Sequence, residues 1–358
     1  MEKLSNKTVA LLTILTIIFF AILLFLAQEF LDSYKLKIIN LMAIYAIMAV
    51  SLNLINGITG ILSLGHSGFI LIGAYTSALL TLDPSQKISS FIIEPVNPII
   101  QNLHTNFFVA TISGGLLAAF FAFLIGSPVL KLSGDYLAIA SLGFAEVIRI
   151  IALNAQSITN GALGLKGIPE YTNVWWSWGW LLITVVFIVS LVKSSYGRAL
   201  LSIREDRIAA ESMGINVFKH ELISFVIGAF FAGVSGALYA HWLTTIDPKI
   251  TTLGPILTFY ILIMVVLGGL GSISGSIVGG IIFALLMEWL RNLEDPFSFF
   301  GLNFPNGIKG LRLLVISTIF ILTMIFWNRG IFGRNELTWN SIYRFFKKIR
   351  VKKRGVRK

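Results

Sequence analysis

The polar stretch Lys193–Lys219 reads KSSYGRALLSIREDRIAAESMGINVFK and divides a chain that is otherwise strongly apolar. It is the longest polar interval between two apolar segments, and basic and acidic residues are interspersed along it. Apolar residues recur at helical spacing in its middle, and Gly214 stands where a helix C-terminus favours a left-handed residue. The stretch therefore predicts a short charged helix between two membrane spans. It is either a docking element for a soluble partner or an ordinary loop.

The composition identifies a membrane protein. Of the 358 residues, 56% are hydrophobic and only 13% are charged, whereas a soluble domain carries about 25% charged residues. The apolar runs are long and unbroken rather than alternating, which favours helices over a β-barrel. The chain has no cysteine and only four histidines, which form no paired motif, so neither a disulfide nor a metal site is predicted.

No catalytic motif is visible. The phosphate-binding pattern G-x-x-x-x-G-K-[ST] is missing from the sequence, and no nucleophile–base pair is recognisable. We therefore predict that the chain is not an enzyme and that any energy for its work comes from a partner or from an ion gradient.

Apolar segments long enough for membrane helices recur along the chain. They are residues 8–28, 38–56, 67–82, 107–130, 134–153, 178–192, 220–243, 255–270, 273–290 and 311–328. Since a membrane helix needs about 20 apolar residues, we predict an all-α integral membrane protein of about ten spans. The segments 67–82, 178–192 and 255–270 are short enough to be tilted, broken or re-entrant. The first segment is expected to be retained as a span because its apolar run is too long for a signal peptide.

The distribution of lysine and arginine predicts the orientation. With ten spans, most of these residues fall on the side that holds both termini and the 193–219 loop, which places that side in the cytoplasm. Residues 1–330 are predicted to form one transmembrane domain in the cytoplasmic (inner) membrane. Residues 331–358 are predicted to form a basic cytoplasmic tail, dense in lysine and arginine from Arg344 onward. We expect this tail to contact anionic lipid rather than nucleic acid.

Two further stretches carry polar groups into apolar surroundings. In NLINGITGILSLGHSGFILIGAYTSALL (Asn53–Leu80), repeated glycines argue against a continuous helix across 57–66. Broken backbone at membrane depth is stable only inside protein or beside a water-filled cavity, although glycines also serve tight helix packing. In GDYLAIASLGFAEVIRIIALN (Gly134–Asn154), Glu146 and Arg149 stand three residues apart. We predict that they form a buried ion pair that faces the bundle, with a functional role as the alternative.

These motifs resemble those of permease subunits in ABC importers for branched-chain amino acids. Tyr196–Ile215 is similar to the coupling loop of that family, in which an acidic residue, two alanines and a glycine fit a cleft of the ATPase subunit. Asn53–Tyr75 is similar to the family motif N-L-x-x-G-x-x-G-Q-x-S-L-G-H-x-x-F…G-A-Y, except that Ile61 replaces the usual glutamine. Thr159–Pro169 resembles T-G-G-x-x-G-L-x-G-I-P, with Asn160 in place of the first glycine. The resemblance covers residues 38–330.

The resemblance implies a permease subunit that moves leucine, isoleucine or valine into the cytoplasm. The implied partners are a second, homologous permease, two ATP-binding subunits that use ATP and Mg, and an extracytoplasmic solute-binding protein; the chain itself would bind no cofactor. The alternatives are a urea or short-amide permease of the same family and an ion-coupled secondary transporter, for which Glu146 and Glu288 are the only intramembrane carboxylates. The implied ATPase-coupling residues are Arg204, Glu205, Asp206, Ala209, Ala210 and Gly214. The implied translocation residues are Asn53, Gly57, Gly60, Ser63, Gly65, His66 and Tyr75.

Overall fold

The structure is a computed structural model that describes residues 5–339, apart from 133, 250–251, 292–293, 295–296, 300–301, 305–309, 328, 334 and 338. Its contacts group into two compact units. The larger unit is Lys37–Arg334, and the smaller combines Met1–Leu36 with Asn335–Lys358. The domain boundary predicted at residue 330 stays a prediction, and the predicted lipid-binding tail from Arg344 onward lies outside the described residues.

Helices account for nearly all the regular structure. The α-helices of the described residues are α1 Asn6–Phe30, α2 Ser33–Asn53, α3 His66–Thr81, α4 Pro84–Ser90, α5 Pro98–Gln101, α6 Phe107–Val129, α7 Asp135–Asn154, α8 Gln156–Thr159, α9 Val174–Lys193, α10 Ser195–Glu205, α11 Arg207–Ser212, α12 Val217–Leu243, α13 Pro255–Gly268, α14 Ile273–Arg291 and α15 Leu311–Phe326.

Short elements connect and extend these helices. A π-helical turn, Leu54–Thr59, continues α2, and a 3-10 turn covers Gly161–Leu163. Strand β1 (Leu165–Lys166) pairs antiparallel with β2 (Thr245–Ile246). Strand β3 (Phe297–Phe299) pairs antiparallel with β4 (Leu302–Phe304).

The prediction of an all-α membrane protein is confirmed, and each of the ten predicted segments contains a helix. Seven helices of the described part of the chain are long and apolar enough to cross a membrane. The segment predicted as short at 178–192 belongs to α9, which has 20 residues, so that expectation is wrong. The three shorter helices are α3, α13 and α15. With 14 residues, α13 is about 21 Å long, less than the hydrocarbon thickness of about 30 Å.

The core of the larger unit lies where α3, α6 and α12 meet. Backbone meets backbone there, because a side-chain carbon at Gly73 of α3 would stand 2.0 Å from the carbonyl oxygen of Gly233 in α12. The same carbon at Gly114 of α6 would stand 2.9 Å from the carbonyl oxygen of Gly73. Small residues allow such close approach between membrane helices, where dispersion contacts rather than the hydrophobic effect drive association. Glycine packing, one of the two roles weighed for this region, therefore holds for Gly73.

Candidate translocation and coupling site

The helix break predicted across 57–66 is present. Helix α2 widens into the π-helical turn and stops at Gly60, which has a φ of 84°. The chain is then non-helical until α3 begins at His66. A non-glycine residue at Gly60 would be strained in this conformation, and its side-chain carbon would lie 2.8 Å from Cγ of Arg204. The sequence therefore ends a helix inside the bundle at a position where only glycine fits.

A second break lies beside the first. Between α13 and α14 the chain turns through Gly269 and Gly271, both with positive φ. A side-chain carbon at Gly57 would stand 2.4 Å from the amide nitrogen of Gly271, so the two breaks touch. Downstream of α15, the amides of Ile331 and Phe332 donate to the carbonyls at the end of α13. The pattern Gly268-Gly269-x-Gly271 is typical of such a break, because glycine adopts positive φ without steric cost.

Asn53 joins the two breaks. Its Oδ1 accepts a hydrogen bond from the Gly271 amide at 2.8 Å, and its Nδ2 donates to the Ser272 carbonyl at 3.0 Å. The side chain is fully buried. The Ser272 carbonyl also accepts from the amide and the hydroxyl of Ser276. Asn53, implied as a translocation residue, thus supplies the acceptor for the Gly271 amide and a further donor to Ser272.

Replacement of Asn53 with leucine is expected to destabilise the protein by about 1–3 kcal/mol, because the buried Gly271 amide loses its acceptor, whereas the Ser272 carbonyl keeps its bonds from Ser276. Asn53→Asp in its protonated form keeps the acceptor for Gly271 and a donor for Ser272, and is expected to lose less. The measurement is the thermal unfolding midpoint of each purified variant in one detergent. Equal midpoints for wild type and Asn53→Leu would show that the contact of Asn53 with Gly271 does not stabilise the protein.

Arg204 connects the polar loop to both breaks. Its Nη1 donates to the carbonyl of Gly57 at 3.0 Å, and its Nη2 donates to Glu205 at 2.8 Å. The same Nη1 would lie 2.8 Å from a side-chain carbon at Gly271, so the guanidinium occupies space that the glycines leave open. Its Nε is buried and has no hydrogen-bond partner among the described residues. A residue of the charged loop therefore holds the point where α2 stops.

The charged loop itself contains two helices rather than the single short helix predicted. The chain is extended at Asp206, which separates α10 from α11. The Oδ1 of Asp206 accepts hydrogen bonds from the amides of Ile208 and Ala209, at 2.9 and 3.0 Å. This is the N-cap arrangement that aspartate favours. After α11 the chain turns at Gly214, where φ is 82°, in the left-handed conformation predicted there.

Two large apolar side chains are exposed on α11 and on the residue directly after it, beside Arg207 and Glu211, which are also exposed. Ile208 is 78% exposed and Met213 is 83% exposed, although both stand in the most polar stretch of the chain. Ala209 is also exposed, whereas Ala210 is buried in a small cluster with Ile203 and Val217. The two alanines implied as coupling residues therefore have different surroundings: Ala210 anchors the helix, and Ala209 belongs to its free surface.

Helix α12 holds the loop at two points. Arg207 lies 3.3 Å from Glu221, whose side chain is buried. The hydroxyl of Tyr196 donates to the carbonyl of His220 at 2.8 Å, and the two rings stack with centroids 4.6 Å apart. Neither Glu221 nor Tyr196 stood among the candidate residues, and the sequence offered no local signal for these contacts.

The remaining translocation candidates divide into two places. Near the first break, Nε2 of His66 lies 2.8 Å from the Ser51 hydroxyl, while its buried Nδ1 has no hydrogen-bond partner among the described residues. Ser63 exchanges backbone hydrogen bonds with the Asn56 side chain, and Gly65 packs against Ser141.

Tyr75 is separate from these residues. It stands nine residues after His66 on α3, about 13 Å along the helix axis. Its hydroxyl is buried without a hydrogen-bond partner among the described residues, and its ring lines an apolar cavity of about 420 Å³ between α3, α6 and α7. The structure thus groups Asn53, Gly57 and Gly60 with Arg204 and leaves Tyr75 outside that group.

The predicted pair of Glu146 and Arg149 is present, but it is not buried. Nε of Arg149 donates to Glu146 at 2.8 Å, and Nη2 donates to the other carboxylate oxygen. Nη1 of Arg149 donates to the carbonyl of Pro248 at 3.1 Å. The side chain of Glu146 is 35% exposed, whereas that of Arg149 is 11% exposed. The pair therefore faces outward through its carboxylate, because α3 covers the opposite side of α7.

The depth of this carboxylate makes its exposure costly against lipid. Glu146 is the twelfth residue of the 20 in α7 and lies within about 3 Å of the helix midpoint along the axis. A charged residue at the centre of a membrane helix costs about 2.5–3.5 kcal/mol on insertion scales. The ion pair reduces that cost, but an exposed carboxylate at this depth still favours a face that meets water or protein.

The family model and the similar proteins all describe permease components of branched-chain amino acid transport. A family model described as "Branched-chain amino acid transport system / permease component" matches residues 34–324. The high-affinity branched-chain amino acid transport system permease protein LivM of Escherichia coli K12 is 30% identical over 328 residues, which cover 82% of this chain and 69% of that protein.

Two further relatives are similar at lower identity. The permease protein LivH of Salmonella typhimurium is 24% identical over 318 residues, covering 84% of this chain and 94% of LivH. The permease protein BraD of Pseudomonas aeruginosa is 26% identical over 321 residues, covering 82% of this chain and 92% of BraD. No solved structure matches the chain significantly.

Proposed function

The chain belongs to the family of permease components of branched-chain amino acid transport systems, and on this premise we propose that it is the LivM-like permease subunit of an ABC importer. The solute is leucine, isoleucine or valine. A second, homologous permease completes the membrane part, and a solute-binding protein outside the membrane delivers the amino acid. Two ATP-binding subunits use ATP and Mg, while this chain binds no cofactor and catalyses no reaction.

The observation that best supports the coupling part of the proposal is the bond between Arg204 and Gly57. Closure of the ATP-binding subunits displaces α10 and α11. Because Arg204 is bonded to the first break and fills the space beside the second, the displacement reaches both breaks without an intermediate element. The breaks are the points where helices α2 and α13 can change direction at little cost, so the cavity between the two permeases opens to one side and then to the other.

The proposed orientation follows from charge. The loop Lys193–Lys219 and both termini lie in the cytoplasm, and the protein crosses the inner membrane about ten times, with α3, α13 and α15 as incomplete or tilted crossings. The seven long apolar helices and the excess of basic residues on the loop side support this arrangement. The basic tail contacts anionic lipid at the cytoplasmic surface.

The free apolar surface of α11 is the proposed docking point for the ATP-binding subunit. Changing Ile208 to aspartate is expected to lower ATP-dependent uptake about tenfold or more, because an exposed apolar anchor becomes a charge that the contact must desolvate. Ile208→Val keeps the anchor and is expected to transport normally. The measurement is leucine uptake together with the amount of ATP-binding subunit that co-purifies with each variant. Normal co-purification and uptake with Ile208→Asp would exclude this face.

The function is tested with the complete transporter in proteoliposomes that contain ATP. Uptake of labelled leucine that requires both ATP and the binding protein is expected. Uptake of urea or short amides in place of leucine would reassign the solute within the family. Uptake that ignores ATP but collapses when a proton or sodium ionophore is added would identify an ion-coupled transporter and overturn the proposal.

A further inference from the structure

The carboxylate of Glu146 is partly exposed near the middle of a membrane helix. We propose that the outward face of α7 lines the solute pathway and that Glu146 binds the ammonium group of the transported α-amino acid. The inference rests on the proposed function and adds the point at which the permease itself holds the solute.

The outward faces of the long apolar helices differ in chemistry. Helix α6 presents Phe120, Phe123 and Leu124, and α9 presents Leu182, Ile183 and Val186, which are all apolar side chains suited to lipid. Helix α7 also exposes apolar side chains, such as Ile139 and Ile151, but it adds a carboxylate near its midpoint. In the seven long apolar helices of the described chain, every other carboxylate stands within about two turns of a helix end. The face of α7 is therefore the one whose chemistry is least suited to lipid.

The ion pair of Glu146 and Arg149 leaves acceptor positions of the carboxylate available to a ligand. Each of the three nitrogens of Arg149 already donates, two sides of the guanidinium to Glu146 and the third to Pro248. The carboxylate has about four acceptor positions, of which Arg149 occupies two. Because the side chain is 35% exposed, the unused positions can accept hydrogen bonds from an ammonium group. A charge-assisted bond of this kind is about twice as strong as one between neutral groups.

The irregular backbone next to the ion pair favours contact of this face with water or protein rather than with lipid. Pro248 lies in non-helical chain between β2 and α13, where Asp247 also bonds Lys249 at 2.8 Å and contacts Thr252. Irregular backbone at membrane depth is stable only within protein or beside a water-filled cavity. The bond from Arg149 ties this segment to the middle of α7, so the carboxylate stands at the margin of such a region.

The chemistry of the site selects a zwitterion. An α-amino acid brings an ammonium group that can form charge-assisted hydrogen bonds to the carboxylate of Glu146, whereas urea and neutral amides bring only uncharged N–H donors. The apolar residues on the same face, among them Val147 and Ile150, are partly exposed and suit a branched aliphatic side chain. The solute class that fits is therefore an aliphatic α-amino acid.

The test uses cysteines next to Glu146, because the chain contains none of its own. Gly143 and Ile150 lie about one turn before and after Glu146 on the same face, and a side-chain carbon at Gly143 would meet no atom within 4 Å. Gly143→Cys and Ile150→Cys therefore leave the ion pair intact. Phe120→Cys, on the apolar face of α6, is the matched control. Each variant is assembled into the complete transporter and treated with a charged methanethiosulfonate, and modification of this chain is followed by mass.

We expect rapid modification at 143 and 150, slow modification at 120, and protection of the first two by leucine. Adding Glu146→Gln to Gly143→Cys should raise the leucine concentration for half-protection about tenfold, equivalent to about 1.4 kcal/mol. Glu288→Gln, at the equivalent i,i+3 pair near the end of α14, should leave protection unchanged.

Three results would overturn the inference. Modification at 143 and 150 as slow as at 120 would show a dry face. Rapid modification without protection, in a transporter that takes up leucine, would show a wet face with no solute site. Protection that survives Glu146→Gln would remove the ammonium contact. A wild-type transporter that takes up no leucine would contradict the proposed solute instead, and the modification rates still decide whether this face is wet.

Discussion

Replacing Arg204 with alanine is expected to lower ATP-driven leucine uptake about 10- to 100-fold. A hydrogen bond from a charged group contributes about 1.5–3 kcal/mol, and each 1.4 kcal/mol is a factor of about ten. The variant loses the bond to Gly57 and leaves unfilled space between Gly60 and Gly271. Because the proposed docking surface on α11 is unchanged, ATP hydrolysis should continue while transport falls. Uptake and ATPase activity are measured on the same proteoliposomes.

Arg198→Ala is the matched control. This arginine belongs to the same helix, and among the described residues its side chain donates to Lys193 and Ser195, within the loop. Its loss removes one positive charge without touching either break, so uptake should stay close to wild type. If Arg204→Ala took up leucine at the wild-type rate, the contact with Gly57 would not be needed to couple movement of the loop to the helix breaks. A parallel fall in ATPase activity and assembly would show that Arg204 supports the fold rather than the coupling.

Replacing Gly73 with alanine is expected to destabilise the protein by about 3 kcal/mol or more, at the upper end of the usual cost of overpacking. The added methyl group would stand 2.0 Å from the carbonyl oxygen of Gly233 and 2.5 Å from two further backbone atoms of that residue. A flexible side chain could move aside, but here α3 and α12 must separate, and with them the contact to Gly114 in α6. The measurement is the unfolding midpoint in detergent and the amount of protein in the membrane.

Gly179→Ala provides the comparison for that variant. Gly179 lies inside α9, and a side-chain carbon there would meet no atom within 4 Å. Since alanine is the better helix former, by about 1 kcal/mol, this substitution should be neutral or slightly stabilising. If Gly73→Ala melted within the error of Gly179→Ala, the close approach of α3 and α12 would not be present in the protein.

Local patterns in the sequence were sufficient for several features. The repeated glycines predicted the break after α2, and Gly60 ends the helix there because it adopts a positive φ that other residues rarely reach. The ion pair of Glu146 and Arg149 was predictable because residues three apart lie on one helical face. The left-handed residue at Gly214 followed from the same kind of local rule. Asp206 was not assigned as a cap, although its position before Ile208 and Ala209 is typical of one.

Contacts between distant residues were beyond such patterns. Asn53 and Gly271 are 218 positions apart, and Arg204 and Gly57 are 147 apart. No periodicity indicates which carbonyl a buried asparagine or arginine will reach, because that depends on how the helices pack. The apolar surface of α11 was hidden for a similar reason: Ile208, Ala210 and Met213 all fit one helical pattern, and only the position of Val217 shows which of them is covered.

Composition and short-range spacing thus decided the membrane class, the helical segments, the places where helices stop and the family motifs. These features depend on backbone conformation and on the cost of placing polar groups in lipid, which act within a few residues. Tertiary packing alone decided that the two breaks touch, that Arg204 holds them, and that Glu146 faces outward while Arg149 is covered. Those features depend on which helix faces are occupied by neighbours, and close contact of α3, α6 and α12 through glycine is what sets those faces.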